Sequence, residues 1–253
     1  MADVTALLRS AGFAGDGVEL RTVAGRSAMR GTTLAQLVED PQALAAAVDA
    51  YADLQQEQFG STAARHVAAL WLLQDVSWIH AVLSVGLVSA HGVSLRCSDD
   101  GLAMELPRDM FFGVQLAEDA VMTTVATNEA ERALAYAEGR RHLAALLAPL
   151  QEPMQEHLRA GARAFWACVT DMATGAICTG ARGDEHRMAS TVASFDDAGT
   201  AAIFEDAGPQ LLTGEQLVPS PAGPIRRRHG CCLLYTIEGM SLCFSCPRIR
   251  VAS

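Results

Sequence analysis

The residues of this sequence best equipped for chemistry lie near its carboxyl end, from Arg226 through Cys231 and Cys232 to Cys243 and Cys246. Four of the seven cysteines fall within sixteen positions: an adjacent pair, ten intervening residues, then Cys-x2-Cys. Four clustered thiolates are the donor set of a structural zinc or an iron–sulfur cluster. A reducing compartment keeps thiols open, which argues against disulfides if the protein is cytosolic. Zinc fits the knuckle spacing of Cys243 and Cys246. A knuckle is usually built from two Cys-x2-Cys pairs, however, and Cys231 and Cys232 cannot close the same small chelate turn. An adjacent pair better suits an object with more than one metal atom, and four cysteines fill a [2Fe–2S] cluster with two thiolates per iron. Spacing therefore favours a cluster and leaves zinc open.

The tail also resembles a known family. Arg228, Cys231-Cys232-Leu233, Tyr235, the ten-residue interval and Cys243-x2-Cys246-Pro247 are similar to the C-terminal signature of FhuF-type ferric-siderophore reductases. The resemblance implies that Cys231, Cys232, Cys243 and Cys246 bind a [2Fe–2S] cluster. It further implies a cytoplasmic oxidoreductase that passes one electron to chelated Fe(III) and releases Fe(II). Its partners would be a ferric siderophore of hydroxamate type and an external donor such as a ferredoxin or a flavoprotein reductase. His229 and Gly230 stand where the family pattern has a small hydroxylated residue, and Phe244 is bulky within the Cys-x2-Cys loop; neither change removes a ligand. A non-enzymatic zinc- or cluster-binding accessory or sensor of siderophore metabolism is the alternative.

The elements that must position these thiols read as α+β: a predominantly helical body with β-hairpins and a small cysteine-rich hairpin at the end. Residues 1–207 form the body and the expected siderophore-binding part, 208–225 a Pro/Gly linker, and 226–253 the cluster-binding segment. In the body, Val4, Leu7, Leu8 and Phe13 suggest a short helix, and Val18 to Val23 a strand, with a Gly/Ser/Thr loop from Ala24 to Thr33. Asp40-Pro41 opens an amphipathic helix running to Gly60. The longest helical pattern runs from Ser61 to His91, apolar nearly all round, which marks a central buried helix. Trp71 and Trp78 share one of its faces; core packing is the favoured reading for them, with stacking on a siderophore the alternative. His80 reads as a core histidine.

Asp100-Gly101 predicts a hairpin between Val93–Arg96 and Leu102–Leu106. Asp109 to Phe112 reads as loop, and Val114 to Val125 as strand or helix. Asn128 caps a helix that ends before Pro149. Another runs from Pro153 to Gly175, and the two are expected as an antiparallel pair on the long helix. The long helix running into His91-Gly92 and then the strand from Val93 resembles the helical C-terminal domain of IucA/IucC-like siderophore synthetases, which also favours a siderophore setting. Residues 181–195 read as a solvated helix, in which Glu185 and His186 face different ways. Cys97, Cys168 and Cys178 have no partner at ligand spacing. In the tail, Cys232–Ile237 and Ser241–Phe244 are expected as strands around a Glu238-Gly239 turn, bringing the two cysteine pairs opposite each other.

Charge sharpens the picture. The net charge of −10 argues against a nucleic-acid partner, whose phosphates it would repel. All nineteen basic residues are arginine. From Arg226 onward there are five arginines and one glutamate, against fourteen arginines and 28 acidic residues before it. This positive patch suits a thiolate-ligated cluster or an acidic redox partner, and its arginines are expected to turn partly to water. No basic region followed by an apolar run opens the chain, and charged or polar residues interrupt the apolar stretch of 68–91, so neither a signal peptide nor a membrane span is expected. No phosphate loop, Ser/His/Asp arrangement or nicotinamide or flavin motif stands out.

Overall fold

The computed structural model describes residues 4–13, 18–61, 63–105, 112–181, 192, 217–218, 225–243 and 245–249. The architecture is α+β, with small sheets set against a helical body. Helix α1 (Val4–Ser10) and strand β1 (Val18–Val23) fall where the apolar spacing predicts them. The following loop carries β2 (Thr32–Thr33) and then an unexpected helix, α2 (Leu34–Glu39), started by a Thr33/Gln36 capping box. Helix α3 (Pro41–Phe59) begins as its sequence predicts: Asp40 accepts from the backbone N–H groups of Gln42 and Ala43, and Pro41 needs no donor there.

The central element is α4 (Arg65–Ala81), continued through a π-turn (Val82–Gly86) into α5 (Leu87–His91). Gly92 ends it in the left-handed conformation, φ 70°, that glycine adopts without a Cβ penalty. By length and mean hydropathy (1.4) this segment could cross a membrane, but 83% of its apolar window is buried inside the fold. It is thus the core helix that its all-round apolar surface predicts. Tyr51 on α3 donates to Asp75 on α4 at 2.6 Å within this interior. Burial raises the Asp75 carboxyl to about 6, against the pull of the tyrosine bond.

The expected hairpin at Asp100-Gly101 is not one. The turn forms, with the Gly101 N–H on the Ser98 carbonyl at 3.0 Å, but its two arms enter different sheets. Strand β3 (Val93–Cys97) pairs antiparallel with β6 (Val121–Val125). Strand β4 (Leu102–Met104) instead lies inside a four-stranded sheet of order β1-β5-β4-β2, antiparallel to β5 (Phe112–Ala117), which is itself parallel to β1. Strand β4 has one edge taken by β5 and the other by β2, which leaves none for β3. The segment expected as strand or helix resolves into β5, a 3₁₀ turn (Glu118–Ala120) and β6.

Helix α6 (Glu129–Leu147) starts at the predicted Asn128 cap, whose side chain accepts from Glu131 N–H. The helix expected from Pro153 to Gly175 is two helices. Helix α7 (Gln151–Leu158) ends at Arg159 in a left-handed conformation, and α8 (Ala162–Gly180) restarts after Gly161. α6 and α8 each pack on the long helix rather than on one another, so they are not the antiparallel pair the pattern suggests. The expected solvated helix with Glu185 and His186 lies outside the described residues, save Val192, as does most of the 208–225 linker. What is described there is strand β7 (Leu217–Val218), paired with β8 (Ile225–Arg226) at the entrance to the tail.

Candidate metal centre

Beyond β8 the tail is not the expected hairpin. It is irregular backbone with one 3₁₀ turn (Leu234–Thr236), and strands are absent from the described residues 227–243 and 245–249. Its shape is dictated by docking. Ile237 is buried with Ala63 and Val67, and Leu233, Leu234 and Met240 close around them beside Phe59 and Trp71. Trp71 packs edge-on against Phe59 and donates its indole N–H to the Cys232 carbonyl at 3.2 Å. It therefore fastens the tail, a role between the core packing and ligand stacking read from its spacing. Trp78 packs edge-on against Phe13 in the body.

The second anchor is Asp171, fully buried on α8. Its carboxylate accepts from the backbone N–H groups of His229 (2.7 Å) and Gly230 (2.8 Å), and Arg228 Nε lies 3.5 Å away. A carboxylate in an apolar helix is costly unless paired, and here it is met by two donors and a cation. Cys168, Asp171, Gly175 and Cys178 recur at helical spacing and form the α8 face that receives the tail. Arg226 seats its guanidinium against Gly175, where any Cβ would collide with it, and Trp78 lies beside the same spot.

The arginines correct the expectation that they turn to water. The Arg228 side chain is only 10% exposed, and Arg226 is also largely shielded; Arg227 is the outward one, with Nη2 on the Pro247 carbonyl. Burial works against the Arg228 charge, but Asp171 and the nearby sulfurs of Cys168, Cys232 and Cys243 hold its pKa above the ordinary value. For Arg226 burial prevails and lowers it. Arg248 covers the Tyr235 ring, 4.5 Å from its centroid, on the outer side.

The four tail cysteines converge as two pairs. Cys232 Sγ lies 3.6 Å from Cys243 Sγ, and Cys246 is the thiol that acts on Cys231 and pushes its pKa up. The adjacent cysteines are thus divided between two partners. Leu233, next in the chain, is held at φ 58°, an uncommon conformation for a leucine that turns the backbone at this point. On the other side, a turn with Cys246 N–H on the Cys243 carbonyl (3.0 Å) presents the Cys-x2-Cys arm. Burial, then the partner thiol, raises the Cys243 pKa, while Arg228 and the Ser245 hydroxyl oppose it. Burial likewise raises Cys231, opposed by the Leu233 backbone N–H.

Two thiolates on one tetrahedral metal at about 2.3 Å stand roughly 3.8 Å apart. The 3.6 Å separation of Cys232 and Cys243 matches that edge. Among the described residues, no three His, Cys, Asp or Glu side chains form a group that could hold a metal ion. A single pair supplies two of the four donors that a structural zinc or a [2Fe–2S] cluster takes.

The remaining cysteines are placed as follows. Cys97 is buried with its sulfur 3.6 Å from His80 Nδ1, and burial lowers His80 to about 3, so that histidine is the core residue expected. Cys178 sits near Arg226. Cys168, read from sequence as incidental, lies in the wall of a cavity beside Cys231. Cys168 and Asp171 are the site residues that spacing alone passed over. The signal available was a carboxylate and small residues at i, i+3, i+7 on an otherwise apolar helix. No protein-family model matches this chain, and no curated protein does either.

Proposed function

We propose that this chain is a ferric-siderophore reductase, with Cys231, Cys232, Cys243 and Cys246 as the ligands of a [2Fe–2S] cluster. The observation that carries the reading is the approach of Cys232 to Cys243 at the 3.6 Å spacing of a shared tetrahedral metal. When bound, the cluster supplies one-electron transfer at a potential set by charge, hydrogen bonds and exposure. The substrate is Fe(III) held by hard oxygen donors, with hydroxamate expected from the resemblance. One electron converts it to Fe(II), which such donors hold far more loosely, and no bond in the chelator need break. The electron comes from an external donor, a ferredoxin or a flavoprotein reductase, and the reaction is placed in the cytoplasm.

The chain's own residues do the rest. Arg228 offsets the negative charge of the thiolates from inside the fold, and that raises the potential relative to a solvated arginine. The Leu233 N–H and Ser245 hydroxyl donate to Cys231 and Cys243 and act in the same direction. Asp171 and Trp71 fix the tail on α8 and α4, so the two pairs keep their register. The test is anaerobic: dithionite-reduced protein is mixed with a ferric hydroxamate in the presence of an Fe(II) trap. Reoxidation of the protein in step with trapped Fe(II), one for one, is expected. A protein that stays reduced contradicts the reading.

A further inference from the structure

Cys232 Sγ and Cys243 Sγ stand 3.6 Å apart across ten intervening residues. A disulfide bond is about 2.0 Å long, so a side-chain shift of about 1.6 Å separates the two thiols from a covalent bond. The backbone on both sides is tied down. The Trp71 indole N–H holds the Cys232 carbonyl at 3.2 Å, and the Arg228 N–H donates to the Ser245 carbonyl at 3.2 Å, which joins the two arms. Between them Ile237 is buried with Ala63 and Val67. The fold therefore keeps each thiol within reach of the other, and that proximity favours an intramolecular reaction.

The pair chosen by the fold is not the one that spacing would choose. Cys243-x2-Cys246 has the interval of a dithiol redox motif, yet the 3.6 Å approach joins Cys243 to Cys232. Access is uneven as well. Cys232 is buried and Cys243 is half-buried, so a dissolved oxidant meets Cys243 first.

We propose that Cys232 and Cys243 form a redox gate: in the metal-free chain a small-molecule disulfide, oxidised glutathione, joins them, and the closed pair withholds metal until a dithiol reopens it. The Cys243 thiolate attacks one glutathione sulfur and expels the other half as a thiol, which leaves one glutathione on Cys243. The Cys232 thiol then attacks Cys243 Sγ and expels the second glutathione. Two protein thiols are oxidised, one oxidised glutathione is reduced to two thiols, and both protons leave on them. The closed pair removes two of the four thiolate donors that the metal takes. A reducing compartment keeps the gate open, so closure answers to an oxidised thiol pool. What the gate controls rests on the reductase reading; the bond itself does not.

The full chain, metal-free and reduced, is exposed to oxidised glutathione without oxygen, alkylated, cut with chymotrypsin and mapped by mass spectrometry. Cleavage after Tyr235 and Phe244 puts Cys231 and Cys232, Cys243, and Cys246 on three separate peptides. A cross-link between the first and the second is expected, and it should persist in Cys231→Ser. With Cys231→Ser and Cys246→Ser as background, adding Cys232→Ser should stop the reaction with one glutathione on Cys243. Given zinc, or Fe(II) with sulfide, the oxidised chain is expected to take up at least about tenfold less metal than the reduced chain, and dithiothreitol to restore uptake. A bond within Cys231-Cys232 or Cys243-x2-Cys246 in place of this one, four tail thiols left free, or equal metal uptake by both forms overturns the proposal. A gate that closes in a chain taking only zinc removes the reductase reading and leaves this one. A cluster protein whose metal-free form stays open to oxidised glutathione removes this one alone.

Discussion

Asp171→Asn is the perturbation that should most selectively release the tail. The native carboxylate holds two backbone donors at 2.7 and 2.8 Å and faces Arg228 at 3.5 Å, all out of water. Asparagine has nearly the same shape but a single acceptor oxygen. Its NH₂ would meet one of the two N–H groups, and Arg228 would lose its counter-charge. Breaking a buried pair from one side costs about 3–5 kcal/mol, because the surviving charge stays buried and uncompensated. A backbone donor left without an acceptor adds about 1–3 kcal/mol wherever it cannot reach water. Part of this is relieved if the tail simply undocks, so the lower range, about 3–5 kcal/mol, is expected as a loss of docking free energy. Amide hydrogen exchange on the full chain reads it directly. Protection at 228–237 should fall by roughly two to three and a half powers of ten, while α3 and the middle of α4 keep theirs. Adding Arg228→Met should restore part of the protection, since the stranded charge goes. A fall of less than fivefold in the tail, or an equal fall in α3 and α4, would refute the claim that Asp171 is a latch.

Trp71→Phe keeps an aromatic ring beside Phe59 but removes the N–H that meets the Cys232 carbonyl. A loss of about 1 kcal/mol, seen as roughly fivefold faster exchange near Cys232, is expected; unchanged exchange would mean that the bond contributes nothing. His80→Gln should flatten the acid limb of stability. The buried imidazole has its pKa lowered to about 3, so the stability from keeping it neutral is complete above about 6.5 and is lost as pH falls toward 3. Between pH 7 and 4.5 the wild type should lose about 2–3 kcal/mol more than the variant in urea unfolding. Asp75 works in the opposite sense in both proteins: with its pKa raised to about 6, its contribution is present below about 3.8 and lost as pH rises through 6. Superimposable pH profiles for wild type and variant would contradict the assignment of His80.

Local signals were read well where the physics is local. The Asp40 and Asn128 caps, the Gly92 stop and the all-apolar central helix are each decided within a few residues, and each stands in the structure. The sheet was harder, because the turn at Asp100-Gly101 is written in sequence but the choice of partner is not. β4 is buried throughout, and it leaves β3 for neighbours far along the chain. The break at Arg159–Gly161 was visible only as a glycine inside a helical pattern. At the candidate site, the approach of Cys232 to Cys243 agrees with the two arms that spacing sets opposite each other, but the hairpin expected to bring it about is absent from the described residues. Tail shape follows from docking onto α4 and α8, through Trp71, Asp171 and the inward Arg226 and Arg228. Those are long-range contacts between residues that, taken singly, look like core, core and surface. Asp171 was legible in principle, since a carboxylate at the centre of an apolar helix face must find a partner.

Iron and acid-labile sulfide, measured on protein purified without oxygen, test the central claim most directly. Two irons and two sulfides per chain are expected, with a red-brown colour that dithionite bleaches. The content should be lost in serine variants of Cys231, Cys232, Cys243 or Cys246 and kept in alanine variants of Cys97, Cys168 and Cys178. Colourless protein with one zinc per chain, or iron that survives replacement of the four tail cysteines, would contradict it.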